Sequence, residues 1–139
     1  MKMIRKSDPL PVGSAPTFFG VHGDPIWDFT IPAVPPSLNV LLRSHWSVRK
    51  RAANDWHDYV WVSMRKMPVL GKPMVERAIV LLDFRCRKDG DNMAKLVVDA
   101  LVTNRIIAGD SAKHLAALIL RSELAGKQKP ATRVRVWSA

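Results

Sequence analysis

Apolar and polar residues alternate along three stretches of the chain, and this period of two predicts β-strands with one buried side. The stretches are 26–31, 77–87 and 133–137. In the first of them Trp27, Phe29 and Ile31 share a side and are expected in the core. The segment 114–124 has a strand-like apolar centre, although its start could be helical. The chain is therefore expected to contribute four strands.

Two further segments repeat apolar residues every three or four positions, as a helix with one buried side does. The first helix is predicted from a cap at Ser47 to about Lys66. Its expected core residues are Ala52, Trp56, either Tyr59 or Val60, Ser63 and Met67. The second helix is predicted from Asp91 or Asn92 to about Val102. The order strand, helix, strand, helix, strand, strand indicates an α/β (α+β) domain in which a mixed β-sheet carries two main helices.

The length of 139 residues fits one domain with a single core. Residues 1–24 contain several Pro and Gly and no hydrophobic period, so we expect an irregular arm before a domain of residues 25–139. No apolar stretch approaches the roughly 20 residues of a membrane span. The basic start lacks the apolar segment of an export signal, and the one cysteine, Cys86, excludes an internal disulfide. These features predict a cytoplasmic protein with no membrane partner.

The charge of the chain points to a polyanionic partner. Lys and Arg number 22 against 12 Asp and Glu, which gives a formal net charge of +10. Such an excess favours nucleic acid, since each neutralised phosphate releases counterions. The densest basic run is 43–51, which contains Trp46 among its basic residues. The run suits contact with a DNA backbone and stacking of bases on the tryptophan, or it is a solvated charged loop.

A cluster of acids interrupts this basic chain. Asp89, Asp91, Asp99 and Asp110 lie close in sequence around Lys95. On a helix, positions 91, 95 and 99 share one face because each step is four residues. Mg²⁺ and Mn²⁺ accept carboxylate oxygens, and a lysine beside them can neutralise a phosphate oxygen. The alternatives are a helix cap at Asp91 and an ion-pair ladder on the helix surface. Asp110 could return to the same place, which spacing alone does not show.

Two motifs resemble those of a known family. The pattern Asp89-Gly90-Asp91-Asn92-x-x-Lys95-x-x-x-Asp99-Ala100-Leu101, followed by Asp110, resembles the core of the RusA-type Holliday junction resolvases. Upstream, Val34-Pro35-Pro36-Ser37-Leu38-Asn39 is similar to the Pro-Pro-Ser-x-Asn segment that follows the first strand in that family. The resemblance covers roughly residues 26–137.

The resemblance implies a RusA-like homodimer that acts as a crossover junction endodeoxyribonuclease. Such an enzyme resolves four-way DNA junctions by paired phosphodiester hydrolysis in recombination and repair. The resemblance also implies that Asp89, Asp91 and Asp110 bind Mg²⁺, with Mn²⁺ as a substitute, and that Lys95 is catalytic. Asp99 matches an acidic position that would orient Lys95 or support the metal. A C₂ dimer suits the reaction, because a two-fold symmetric junction must be cut on two strands.

One position departs from the family's pattern, which commonly has two acids where this chain has Gly109-Asp110. The alternative function is therefore a catalytically weak module of the same fold that binds branched DNA. A basic structural protein on RNA is a third hypothesis, but it gains nothing from acids where phosphates dock.

Further residues are expected to contact DNA because of their charge or their place in the motifs. They are Asn39, Arg43, His45, Arg49, Lys50, Arg51, Arg85, Arg87 and Lys88. The last three adjoin the acidic cluster and could hold the scissile strand, whereas Asn39 could instead cap a turn.

Overall fold

The computed structural model describes residues 23–36, 38–67, 74–86 and 94–139, which leaves most of the predicted arm of residues 1–24 outside the described part. The elements are β1 (Trp27–Ile31), α1 (Leu38–Arg43), α2 (Trp46–Arg65), β2 (Ala78–Cys86), α3 (Ala94–Thr103), β3 (Leu115–Leu124) and β4 (Ala131–Ser138). The predicted order of strands and main helices is confirmed, and α1 is an unpredicted addition. The chain is a small single α+β domain. None of the described helices combines the length and apolarity needed to cross a membrane.

The four strands form one mixed sheet in the order β1-β4-β2-β3. β4 pairs antiparallel with both β1 and β2, whereas β2 and β3 run parallel. Parallel neighbours need a crossover connection, and α3 lies in the one between β2 and β3. Among the described residues, β1 and β3 are therefore the two edges of the sheet.

The main core lies on one side of this sheet, under α2 and α3. The fully buried strand residues there include Val80, Leu82, Val134 and Val136. The two helices add Trp56, Val60, Val97 and Leu101 to the same cluster. Because the period-two pattern of the strands and the helical period of α2 and α3 meet in one cluster, both predicted periodicities are confirmed.

The structure confirms most of the predicted buried side of α2 and corrects its start. Trp56, Val60 and Ser63 are buried, while Tyr59 is exposed, which settles the choice between positions 59 and 60. The N-cap is His45, whose Nδ1 accepts a hydrogen bond from the main-chain N–H of Ser47 (3.2 Å). The predicted cap at Ser47 is wrong, because the ring nitrogen of His45 satisfies that amide and the helix begins earlier.

The second side of the sheet carries charged residues that are paired with one another. Arg133 donates two hydrogen bonds to Asp28 (3.0 and 2.9 Å), and Asp83 accepts from both Arg121 and Arg135. The bond to Asp28 raises the pKa of Arg133, whereas burial, followed by the neighbouring charge of Arg133, lowers the pKa of Arg135. These ion pairs link adjacent strands, so much of the charge on this side is neutralised within the sheet.

Candidate nucleic-acid and metal site

The outer face of α3 is a narrow polar stripe on an otherwise buried helix. Lys95, Asp99 and Thr103 lie four residues apart on this stripe, while six of the ten helix residues are buried. The Nζ of Lys95 lies 3.5 Å from Oδ2 of Asp99. The prediction that positions 95 and 99 share one face is confirmed.

The pair of Lys95 and Asp99 is open to solvent, with 59% and 47% of the two side chains exposed. An exposed ion pair at this helical spacing contributes at most about 0.5 kcal/mol to stability. Lys95 can therefore turn from Asp99 to a phosphate at little cost, while Asp99 holds the amine near this position when no phosphate is bound. This arrangement suits a lysine that acts on a ligand.

The segment 87–93, between β2 and α3 in the sequence, contains the other acids of the predicted site. Asp89 and Asp91 lie outside the described residues, as do Arg87 and Lys88. The segment follows Cys86, the last residue of a buried strand, and precedes Ala94, where the described part of α3 begins. The metal-binding role of the two aspartates stays a prediction.

Asp110 lies towards the other end of the β2–α3–β3 unit. The segment just before it forms a parallel bridge with Val75, which precedes β2, and β3 begins beside the first residue of β2. Lys95 lies in the first turn of α3, and about 12 Å of helix separates it from Thr103 at the end. The metal role of Asp110 stays a prediction.

His114 explains why Gly109 carries no side chain. A Cβ on Gly109 would lie 2.9 Å from Cδ2 of His114, closer than real Cβ contacts allow. The ring is held in place by a hydrogen bond from its Nδ1 to the carbonyl oxygen of Glu76 (2.9 Å). An acid at position 109 would require this ring to move, and sequence reasoning missed the contact because it joins two loop residues with no periodic signal.

The donors available for a metal are carboxylate oxygens, which is the ligand chemistry that Mg²⁺ and Mn²⁺ prefer. Within the ranges that the structure describes, no three His, Cys, Asp or Glu side chains come together as a metal-binding group. Asp99 is a single carboxylate on the stripe and Asp110 lies elsewhere. Asp89 and Asp91 lie outside the described residues, so the metal site stays a prediction.

The first half of α2 is largely exposed and strongly basic, with only the partly buried Ala52 packed against the core. The buried residues of this 20-residue helix, Trp56, Val60 and Ser63, all lie in its second half. The residues before them therefore extend as about 15 Å of helix without a buried side chain. Arg49, Lys50 and Arg51 are exposed there. The exposed basic residues of this half are available to a partner, and their charge favours phosphate.

Aromatic and polar groups surround the start of this basic helix. Trp46 is 60% exposed, and its ring lies 5.5 Å from that of His45. Arg43 ends α1 and donates from Nε to the carbonyl oxygen of Asn39 (3.3 Å), and both residues are exposed. Five predicted DNA contacts and Trp46 are thus exposed near one another in sequence around the start of α2, and we call this group the basic surface. It consists of Arg43, His45, Trp46, Arg49, Lys50 and Arg51, and it continues from Asn39.

Arg85 is paired with an acid of β3, and its predicted contact with DNA stays a prediction. Its Nε donates to Oε1 of Glu123 (3.2 Å), on the side of the sheet opposite α3. The structure does not bring it to the stripe of Lys95 and Asp99. Sequence reasoning also missed a cation–π contact, in which Arg65 lies 4.4 Å from the ring centre of the exposed Trp61; the four-residue spacing was its signal.

No known protein-family model matches this chain. A search of curated proteins finds no match either.

Proposed function

We propose that this protein is a Mg²⁺-dependent, structure-specific endodeoxyribonuclease, a Holliday junction resolvase of the RusA type that cuts four-way DNA junctions in recombination and repair. The observation that carries the proposal is the exposed pair of Lys95 and Asp99. This pair follows the Asp89-Gly90-Asp91-Asn92 loop in a chain of net charge +10. A solvated surface ladder would explain the pair alone, but it would not explain the two further acids directly before it.

In this proposal, DNA binding and catalysis belong to two different surfaces. The basic surface binds the DNA backbone, because exposed Arg and Lys neutralise phosphates without reading bases. The stripe on α3 receives the scissile phosphate, where Lys95 donates to a phosphate oxygen and stabilises the charge that develops during water attack. Asp89 and Asp91 would hold Mg²⁺, which would supply further positive charge to stabilise the developing negative charge. Asp99 positions Lys95.

Two chains are needed to cut two strands, so the active form is a homodimer. Asp110 lies near the start of β2 and β3, whereas Lys95 lies on α3, which follows β2 along the chain. If Asp110 is a metal ligand, it joins Asp89 and Asp91 either from the same chain or from the second copy.

A catalytically weak module that binds branched DNA is the second candidate. The observation that favours it is the contact of His114 with Gly109, because it prevents a second acid beside Asp110 without rearrangement. This candidate keeps the basic surface and its preference for junctions but predicts no metal-dependent cleavage.

Nicking of a synthetic four-way junction tests the proposal. The purified protein should cut the junction in the presence of Mg²⁺, lose activity in EDTA, and regain it with excess Mg²⁺ or Mn²⁺. A linear duplex with the same arm sequences is the matched control substrate and should be cut much more slowly. Junction binding without cleavage at any Mg²⁺ concentration would support the weak module instead.

A further inference from the structure

The outer edge of β3 is a long apolar strand without a partner in the described part of the chain. β3 has ten residues and pairs there only with β2. Proteins usually protect such an edge with Pro, Lys or a bulge, since its main-chain groups can pair with another strand. The residues of β3 include neither Pro nor Lys, and its only irregularity lies at its start, beside Ala78 and Ile79.

Leucines on this strand lie on the helix-covered side of the sheet but beyond the helices. Leu118, Leu120 and Leu124 are 38%, 45% and 68% exposed. They are in register with residues of β2 on the core side, two of which, Val80 and Leu82, are fully buried. The apolar surface therefore continues from the core to the edge of the sheet.

The same strand is neutral in an otherwise strongly basic chain. Its two charged residues have opposite sign, and each is paired with β2. Arg121 lies 2.5 Å from Asp83, and Glu123 lies 3.2 Å from Arg85. A polyanion finds no free positive charge here, and two copies of the strand do not repel each other. The edge fits a protein partner rather than nucleic acid.

We propose that β3 pairs antiparallel with β3 of a second copy across a two-fold axis near Ser122. Reversal of direction sets Arg121 opposite Glu123 of the second copy and Leu120 opposite its Leu124, twice each by symmetry. Ser122, a small residue, lies at the axis. The strand is thus complementary to itself in charge and in apolar contact, and the two sheets join into one of eight strands.

This inference deepens the homodimer of the proposed function by naming its surface, but it is tested without DNA or metal. A protein that dimerises through β3 but does not cut junctions would contradict only the proposed function. A protein that cuts junctions but does not dimerise through β3 would contradict only this inference. The first measurement is sedimentation equilibrium, which should give twice the chain mass of 15.6 kDa. Leu120→Lys together with Leu124→Lys places like charges across the axis and should raise the dimer Kd by at least about 100-fold.

A matched control is Leu42→Lys on α1, because that leucine is 62% exposed and lies off the edge. It should leave the mass unchanged, and circular dichroism should show all variants folded. A monomeric wild type would overturn the proposal. So would a dimer that the double variant leaves intact, or one that only Leu42→Lys breaks.

A cysteine cross-link tests the register. Ser122→Cys should cross-link to itself with a short bismaleimide, because the two copies meet at this position. Ala116→Cys lies on the same strand, but the register separates its two copies by about 40 Å, so it should not react. The wild type, whose one cysteine is the buried Cys86, should give no product. Cross-linking at 116 and not at 122 would overturn the register.

Discussion

α3 and α2 lie on the same side of one sheet, yet they differ in how much of each helix is buried. α3 buries six of its ten residues, while α2 buries three of its twenty. α3 therefore presents a thin polar stripe in a fixed position, which suits a group that must act at one phosphate. The first half of α2 presents exposed basic side chains with little burial, which suits binding a backbone of varied shape. In the proposed function, chemistry therefore belongs to α3 and affinity to α2.

The largest expected effect is on stability and separates the two helices directly. Leu101→Ala in α3 empties a fully buried site and should lower the free energy of unfolding by about 2–5 kcal/mol. Val48→Ala, in the exposed half of α2, should change it by no more than about 0.5 kcal/mol. Urea titration of both variants measures the difference. Equal losses would mean that the first half of α2 is packed against something.

The next effect separates chemistry from affinity. Lys95→Ala should slow junction cleavage by about 100- to 1,000-fold, since it removes a charged donor from the developing charge. Binding should weaken by no more than about tenfold, because one phosphate contact of several is lost. Single-turnover kinetics and gel-shift titration measure the two quantities. A variant that binds far more weakly yet cuts normally at saturation would place Lys95 in the binding surface.

The basic surface should behave in the opposite way. Replacing Arg49, Lys50 and Arg51 together by Ala should reduce the slope of log Kobs against log salt by about 3, because three phosphate contacts disappear. Cleavage at saturating protein should be nearly unchanged. The charge-matched control replaces Lys113, Lys127 and Lys129, which are also exposed. If the control changes the slope as much, the charge acts through the whole protein and not through α2.

The smallest effect tests the start of the basic helix. His45→Ala removes the acceptor for the N–H of Ser47 and should cost about 1 kcal/mol of stability. His45→Asn retains a capping oxygen and should restore most of it. Thermal unfolding measures both variants. If Asn and Ala behave alike, the ring of His45 acts through its contact with Trp46 instead of as a cap.

The regular elements could be predicted because an element buried on one side has apolar residues at a regular spacing, every second residue in a strand and every third or fourth in a helix. The alternation of β1 and β2 and the helical repeat of α2 are examples. α1 was missed because its six residues make fewer than two helical turns, too short a stretch for a repeat to be recognised, and they directly follow a proline-rich segment. The cap at His45 was missed because histidine is rarely a capping residue, whereas Ser47 is of the preferred type.

The candidate site was predictable only where it lies on one element. The common face of Lys95 and Asp99 follows from helical geometry alone. The position of Asp110 depends on β3 running parallel to β2, and a sequence does not state which strands pair. The pairing of Arg85 with Glu123 and the contact of His114 with Gly109 depend on the same long-range arrangement.

Asp91→Asn, assayed for cleavage and binding in one preparation, tests the central claim most directly. The substitution keeps the size and capping ability of the side chain but removes the charge that a metal requires. The account predicts that cleavage of a four-way junction in Mg²⁺ disappears, while junction affinity and thermal stability stay at wild-type values. Equal cleavage by the wild type and Asp91→Asn would contradict it.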